Sequence, residues 1–392
     1  IREEKIAEIV SHILDFAMKA RASDVHIEPQ EKVTRVRYRI DGILQEKLTI
    51  PKDLHDSLVS RIKILSAMKI DEKRIPQDGR FNFKAGENEV DLRVSARPTS
   101  WGEKIVMRLL KKSGGVPELT ELGLRGQGLK NLQEAILRPH GIVLICGPTG
   151  SGKTTTLYSL INKINTPKLN IVTLEDPVEY KMPGVNQVQV NPAAGLTFAS
   201  GLRAFLRQDP NIILVGEIRD RETADLAIQA SLTGHLVFST LHTNDASGAL
   251  PRLLDMGAEP YLLASSMTAI VAQRVVRKIH DKCKVAYNPD PKILEDMKQV
   301  LGNFYPQNKQ VQLYKGQGDQ DCGNSGYQGR VGIFEVIPVT EKVQNLILQR
   351  SPASEIEKQA KLDGLITMKQ DGYLKVLEGT TTIEEILRVA QE

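Results

Sequence analysis

Apolar and basic positions alternate without a break over "VTRVRYRI" (33–40): Arg35, Arg37 and Arg39 fall on one side, Val36, Tyr38 and Ile40 on the other. A period of two predicts a strand with one buried face. Asp41–Gly42 supplies a turn into "ILQEKLTI", which completes a hairpin. A charged amphipathic stretch over 1–20 and another between Lys52 and Met68 predict helices. "RFNFKAGENEVDLRVSAR" (80–97) predicts a second hairpin turning near Ala85–Asn88. Residues 1–110 therefore read as a small α+β domain.

"KKSGGVP" (111–117) places two glycines and a proline between periodic segments, the composition of a linker. Beyond it the pattern changes. "GIVLIC", "NIVTLE", "NIILVGE" and "HLVFST" are nearly continuous apolar runs separated by helical stretches. That arrangement predicts an α/β domain over 118–280, built on a mostly parallel sheet with helices on both faces. Residues 281–330 are polar, turn-rich and marked by Pro289, Pro291 and Pro306, which predicts an inserted subdomain. Residues 331–392 are expected to form a helical end, with Thr382 and Glu385 as a capping box.

Composition narrows the picture. At 41% hydrophobic residues the 392-residue chain can build full cores. Its 52 basic against 48 acidic residues leave a net charge of +4, too mild to point to nucleic acid. Three cysteines, Cys146, Cys283 and Cys322, form no disulfide framework, so a reducing compartment is expected. The apolar runs fall far below the ~18 residues of a membrane span, so any membrane role is expected to be peripheral. The first residues do not form a signal peptide, and with no initiator Met they are expected to be a trimmed end of a longer protein.

The chemistry concentrates in "GIVLICGPTGSGKTTTLYSL". Gly147, Pro148, Thr149, Gly150, Ser151, Gly152, Lys153 and Thr154 match G-x-x-x-x-G-K-[ST] at every fixed position, between a predicted strand and a predicted helix. The glycines let backbone N–H groups close on phosphate oxygens, and the helix points its positive end at them. Lys153 is expected to reach the β- and γ-phosphates of ATP, with Thr155 beside it, and Thr154 to hold Mg²⁺. Hydrolysis also asks for a carboxylate near the phosphates. Glu217 and Glu175, each closing an apolar run, are expected to share metal and water positioning, with the choice of base between them open. Asp176, Glu179 and Asp220 read instead as caps or surface acids. His235 and His242 flank "LVFSTL"; across a strand their rings stand about 20 Å apart, too far for a shared metal.

Taken with "LRQDPNIILVGEIRD" and "TGHLVFSTLHTNDA", and with "ASDVHIEP", "RYRIDG" and "IPQDGRFNF" in the first domain, these motifs resemble the ATPases of type II secretion and type IV pilus assembly (the GspE/PilB group) over nearly the whole chain. The resemblance implies a RecA-like ATPase core preceded by a smaller PAS-like domain. It further implies a homohexameric motor, peripheral at the cytoplasmic face of the inner membrane, that works on a membrane platform protein and other pilus or secretion components. A docking domain is expected ahead of the present first residue.

The resemblance gives the two histidines a role: in that family the segment lies near the γ-phosphate, and its histidines are taken to sense phosphate state, His242 being favoured over His235. It also implies that arginines of the first domain reach the phosphates. Arg93 and Arg80 rank first, Arg108 and Arg97 next, while Arg35 and Arg37 read as a solvated strand face. Many members carry a tetrathiolate zinc site where this chain has His280, Cys283, Asp319 and Cys322; losing two thiolates favours a corner held by packing alone over one holding zinc. Motors of pilus retraction, and translocases of DNA uptake or conjugation on the same fold, are the alternatives. A scaffold that binds ATP without turning it over ranks last.

Overall fold

A computed structural model describes residues 2–86, 88–111, 115–307 and 311–390, arranged as two units, Ile1–Gly115 and Val116–Glu392. The first contains α1 (Arg2–Lys19), β1 (Asp24–Pro29), β2 (Val33–Ile40), β3 (Ile43–Pro51), α2 (His55–Leu65), β4 (Gln77–Ala85), β5 (Asn88–Thr99) and β6 (Gly102–Lys111). Its six strands form one antiparallel sheet in the order β3-β2-β1-β6-β5-β4. Val25, Ile27, Val36, Tyr38, Leu92 and Met107 fill one core with the apolar side of α1 and α2. The alternation in 33–40 thus divides a buried face from a polar one. Part of the expected linker (112–114) and the residue at the tip of the second hairpin lie outside the described residues.

On the polar face the register sets Arg80 opposite Arg93, Arg93 opposite Arg108, and Arg108 opposite Asp24, which in turn faces Arg39. Like charges opposite one another repel. Asp24 relieves the row, accepting from Arg108 Nε at 3.0 Å and lying 3.6 Å from Arg39 Nε. Arg35 and Arg37, expected to be merely solvated, both pair with Glu28, which is itself buried.

The second unit contains α3 (Gly126–Ile136), β7 (Gly141–Cys146), α4 (Lys153–Ile164), β8 (Ile171–Glu175), β9 (Val185–Gln189), α5 (Phe198–Phe205), β10 (Ile212–Val215), α6 (Arg221–Leu232), β11 (Leu236–Leu241), α7 (Ala249–Asp255), α8 (Pro260–Ser266), β12 (Met267–Ile279), β13 (Lys284–Tyr287), α9 (Pro291–Leu301), β14 (Leu313–Gly316), β15 (Tyr327–Pro338), α10 (Glu341–Leu348), α11 (Ala353–Leu362), α12 (Met368–Leu377) and α13 (Ile383–Ala390). Seven strands form a sheet in the order β15-β12-β7-β11-β10-β8-β9, parallel except for β15. Along β7, Ile142, Leu144 and Cys146 enter one core and Val143 and Ile145 the other, which is why the strand is apolar throughout.

Two local expectations differ from what forms. The helical end expected from residue 331 begins inside β15, whose apolar "VGIFEVIP" pairs antiparallel with β12 at the sheet edge. The segment between those strands carries β13, α9 and β14 away from the sheet. The capping box at α13 is half made. Thr382 Oγ1 accepts the Glu385 N–H at 3.4 Å, but the Glu385 carboxylate turns to the Arg277 backbone N–H (2.9 Å) and to the guanidinium groups of Arg277 and Arg388. Charged donors outcompete a return bond to the cap. Among the described residues no helix is long and apolar enough to cross a membrane.

Candidate functional site

Parallel strands deliver their carboxyl ends to one edge, and there the loop between β7 and α4 turns. Gly147, Gly150 and Gly152 take φ of 149°, 84° and 86°. At Gly147 the need is steric as well, since a Cβ would stand 2.7 Å from the Gln273 carbonyl. Gly152 opens α4, and no side chain caps that first turn among the described residues. Its N–H groups are therefore available to an anion. Lys153 Nζ donates to the carbonyls of Gly147 (2.8 Å) and Pro148 (3.0 Å). Burial pushes this ammonium below its ordinary value; Arg274 acts in the same direction, while Glu217 opposes it.

Glu217 leaves β10 where Thr240 Oγ1 holds the Gly216 carbonyl (2.7 Å) and the Ile218 N–H reaches the Thr240 carbonyl (3.0 Å). Its carboxylate meets Arg219 on one oxygen and lies 3.4 Å from His242 Nε2 on the other. The exposed Thr154 hydroxyl and this carboxylate are hard oxygen donors of the kind Mg²⁺ takes. His235 is not part of the cluster. It precedes β11 at the opposite strand end, where Nδ1 meets the Ala230 carbonyl at 2.7 Å. Asp220 caps α6 through the Thr223 N–H (2.8 Å).

Glu175 closes β8 at the same sheet edge but is 3% exposed, bonded to Tyr158, Thr173 and Gln187. Two loop neighbours escape sequence reading. Gln273 Nε2 donates to the Ser151 carbonyl at 2.6 Å, and Arg274 reaches Asn244 Oδ1 at 3.3 Å in the loop that carries His242. Both look like ordinary strand residues, and only the β12–β7 pairing places them. Arg80, Arg93, Arg97 and Arg108 all belong to the first unit; Arg97 meets Asp78 at 3.4 Å.

A second cluster lies in the segment between β12 and β15. Donor atoms of His280, Cys283, Asp319 and Cys322 all fall within 4.8 Å of one another. Tetrahedral zinc with bonds of about 2.0–2.3 Å sets its ligands about 3.3–3.8 Å apart. His280 Nδ1 stands 2.9 Å from Asp319 Oδ2, closer than that spacing, so the pair would open slightly around an ion. Cys322 Sγ accepts the N–H groups of Asp319 (3.2 Å) and Gly326 (3.3 Å). The donor set fits zinc.

A family model described as "Type II/IV secretion system protein" matches residues 2–388. The chain is 47% identical over 385 residues to a type IV pilus assembly ATPase of Thermus thermophilus, covering 98% of this chain and 43% of that one. It is 48% identical over 387 residues to a type II secretion system protein E of Pseudomonas aeruginosa, covering 99% and 76%. It therefore spans less than half the length of the first relative. Among solved structures, the pilus retraction motor PilT with bound ADP aligns at a TM-score of 0.64 and 26% identity, covering 98% of this chain and 97% of that one. The Legionella pneumophila ATPase DotB aligns at 0.71 and 22%, covering 98% and 96%, a likeness of fold alone.

Proposed function

The chain belongs to the Type II/IV secretion system protein family, and from that premise we propose that it is the hydrolytic part of a hexameric ATP-driven motor for pilus assembly or secretion. The observation that carries this is the loop Gly147–Thr154 at the carboxyl edge of a parallel sheet, with Glu217 and His242 beside it. ATP phosphates displace the loop carbonyls from Lys153 and lie over the N–H groups of α4. Thr154 and Glu217 are the residues that would hold Mg²⁺, which supplies charge neutralisation at the β- and γ-phosphates. Glu175 takes the proton of the attacking water, and His242 answers to the γ-phosphate through its contact with Glu217. Arg93 and Arg80, ahead of Arg108 and Arg97, add positive charge in the transition state.

Assembly or secretion is favoured over retraction by identity: 47–48% to the first two relatives against 26% to the retraction motor. The proposed motor works at the cytoplasmic face of the inner membrane, against a platform protein; membership of that family supports this reading. Steady-state phosphate release across a protein-concentration series, with Glu217→Gln alongside, tests the reading. Specific activity should rise with concentration, and the variant should lose about 100-fold or more in turnover. Hydrolysis unchanged in Glu217→Gln would sink the assignment.

For the second cluster we propose zinc. Metal analysis of protein purified without chelator should find zinc in the wild type and lose it in Cys322→Ser, with a lower melting temperature. Wild-type protein free of zinc would leave packing alone to hold that corner.

A further inference from the structure

The carboxylate that closes β8 is not open to water. Glu175 Oε1 accepts from Thr173 Oγ1 at 2.5 Å and from Gln187 Nε2 at 3.2 Å, and Oε2 accepts the phenol of Tyr158. Tyr158 belongs to α4, five residues after Lys153. One hydroxyl thus ties the helix that begins at the phosphate loop to the strand end that bears Glu175. The same phenol oxygen accepts the Glu179 N–H at 3.3 Å, and the ring packs edge-on against Tyr180 with centroids 4.5 Å apart. The acidic turn after β8 is wrapped around this single group.

Packing alone does not explain the hydroxyl, because phenylalanine fills nearly the same volume. What the hydroxyl adds is a hydrogen bond to an ionised group, stronger than one between neutral partners. A base must present a lone pair to its water at about 2.6–3.2 Å. Three of the carboxylate's roughly four acceptor sites are taken and the side chain is buried, so the attacking water reaches it far more readily once one partner lets go.

We propose that Tyr158 is a positioning residue that holds Glu175 in reserve, its phenol occupying the oxygen that otherwise takes the attacking water. The proposal rests on the reading of Glu175 as the base. It assigns Tyr158 a brake on turnover and no part in nucleotide binding, since its hydroxyl faces the acidic turn.

The test is phosphate release by wild type, Tyr158→Phe, Glu175→Gln and the double variant, each at saturating and at limiting ATP. Losing a hydrogen bond to a charged acceptor should raise kcat about tenfold or more in Tyr158→Phe. The KM for ATP should stay put and the melting temperature fall slightly. Glu175→Gln should be inactive in both backgrounds. A structural tyrosine would lower stability and leave kcat unchanged or reduced; with Glu175→Gln inactive, that result overturns the brake and spares the base. Full activity in Glu175→Gln overturns the base and the brake together. Melting curves in the same buffer show that Tyr158→Phe is folded where its rate is read.

Discussion

Lys153→Ala is expected to lower ATP hydrolysis by about 1,000-fold and to abolish the thermal stabilisation that ATP gives the wild type. The ammonium is the charge at the head of α4, lying on two loop carbonyls that phosphate oxygens would replace on the proposed reading. Removing one preorganised donor from a transition state costs about 10²–10³ in rate. Lys153 adds to that a full charge in a site where burial strengthens every electrostatic interaction. The fold should survive: glycines at 147, 150 and 152 shape the loop, and Gln273 secures Ser151. Without nucleotide the variant should melt within a degree or two of wild type. With ATP at 100 times the wild-type Kd, the expected gain of about 2.7 kcal/mol should appear in wild type alone. Phosphate release within roughly tenfold of wild type would remove the loop from the chemistry.

The shape of the loop between β7 and α4 could be read from sequence because it is a matter of backbone geometry. Close approach to phosphates demands glycine at fixed spacing, and the flanking strand and helix have their own periodicities. His242 and Glu217 were legible for a related reason: each follows an apolar run, and parallel strands send such ends to one edge. His235 precedes its run, so the same rule sends it to the far edge, where it is found. The bonds between elements were not legible. Nothing in "TLYSL" announces that Tyr158 meets Glu175, and nothing in "VAQRVV" that Gln273 and Arg274 flank the loop. Those contacts depend on strand order, which sequence spacing does not carry. The half-made cap at α13 shows the converse limit, where a correct local motif yields to distant charged partners.

Lys63→Ala should destabilise the first unit by about 3–5 kcal/mol, the cost of leaving one member of a buried ion pair alone. Lys63 lies on α2, fully buried, in a helix whose sequence suggests an exposed lysine. Its ammonium donates to both Glu103 oxygens, at 2.8 and 3.0 Å, and to the Glu72 carbonyl at 2.8 Å. Glu103 is buried on β6, so these bonds bind the helix to the sheet. Alanine removes the charge and leaves the buried carboxylate without its cation. The chain's single tryptophan, Trp101, stands two residues from Glu103, so its fluorescence in urea follows the first unit alone. Lys63→Met/Glu103→Leu separates charge from volume: it fills the space without a charge and should recover most of the loss, because apolar pairs often replace buried ion pairs without penalty. If Lys63→Ala shifts the Trp101 transition by under about 1 kcal/mol, water reaches Glu103 and the pair is not what joins α2 to β6. If the alanine variant falls and the double variant does not recover, the bond to the Glu72 carbonyl holds the loop after α2, and the stability lies in that loop.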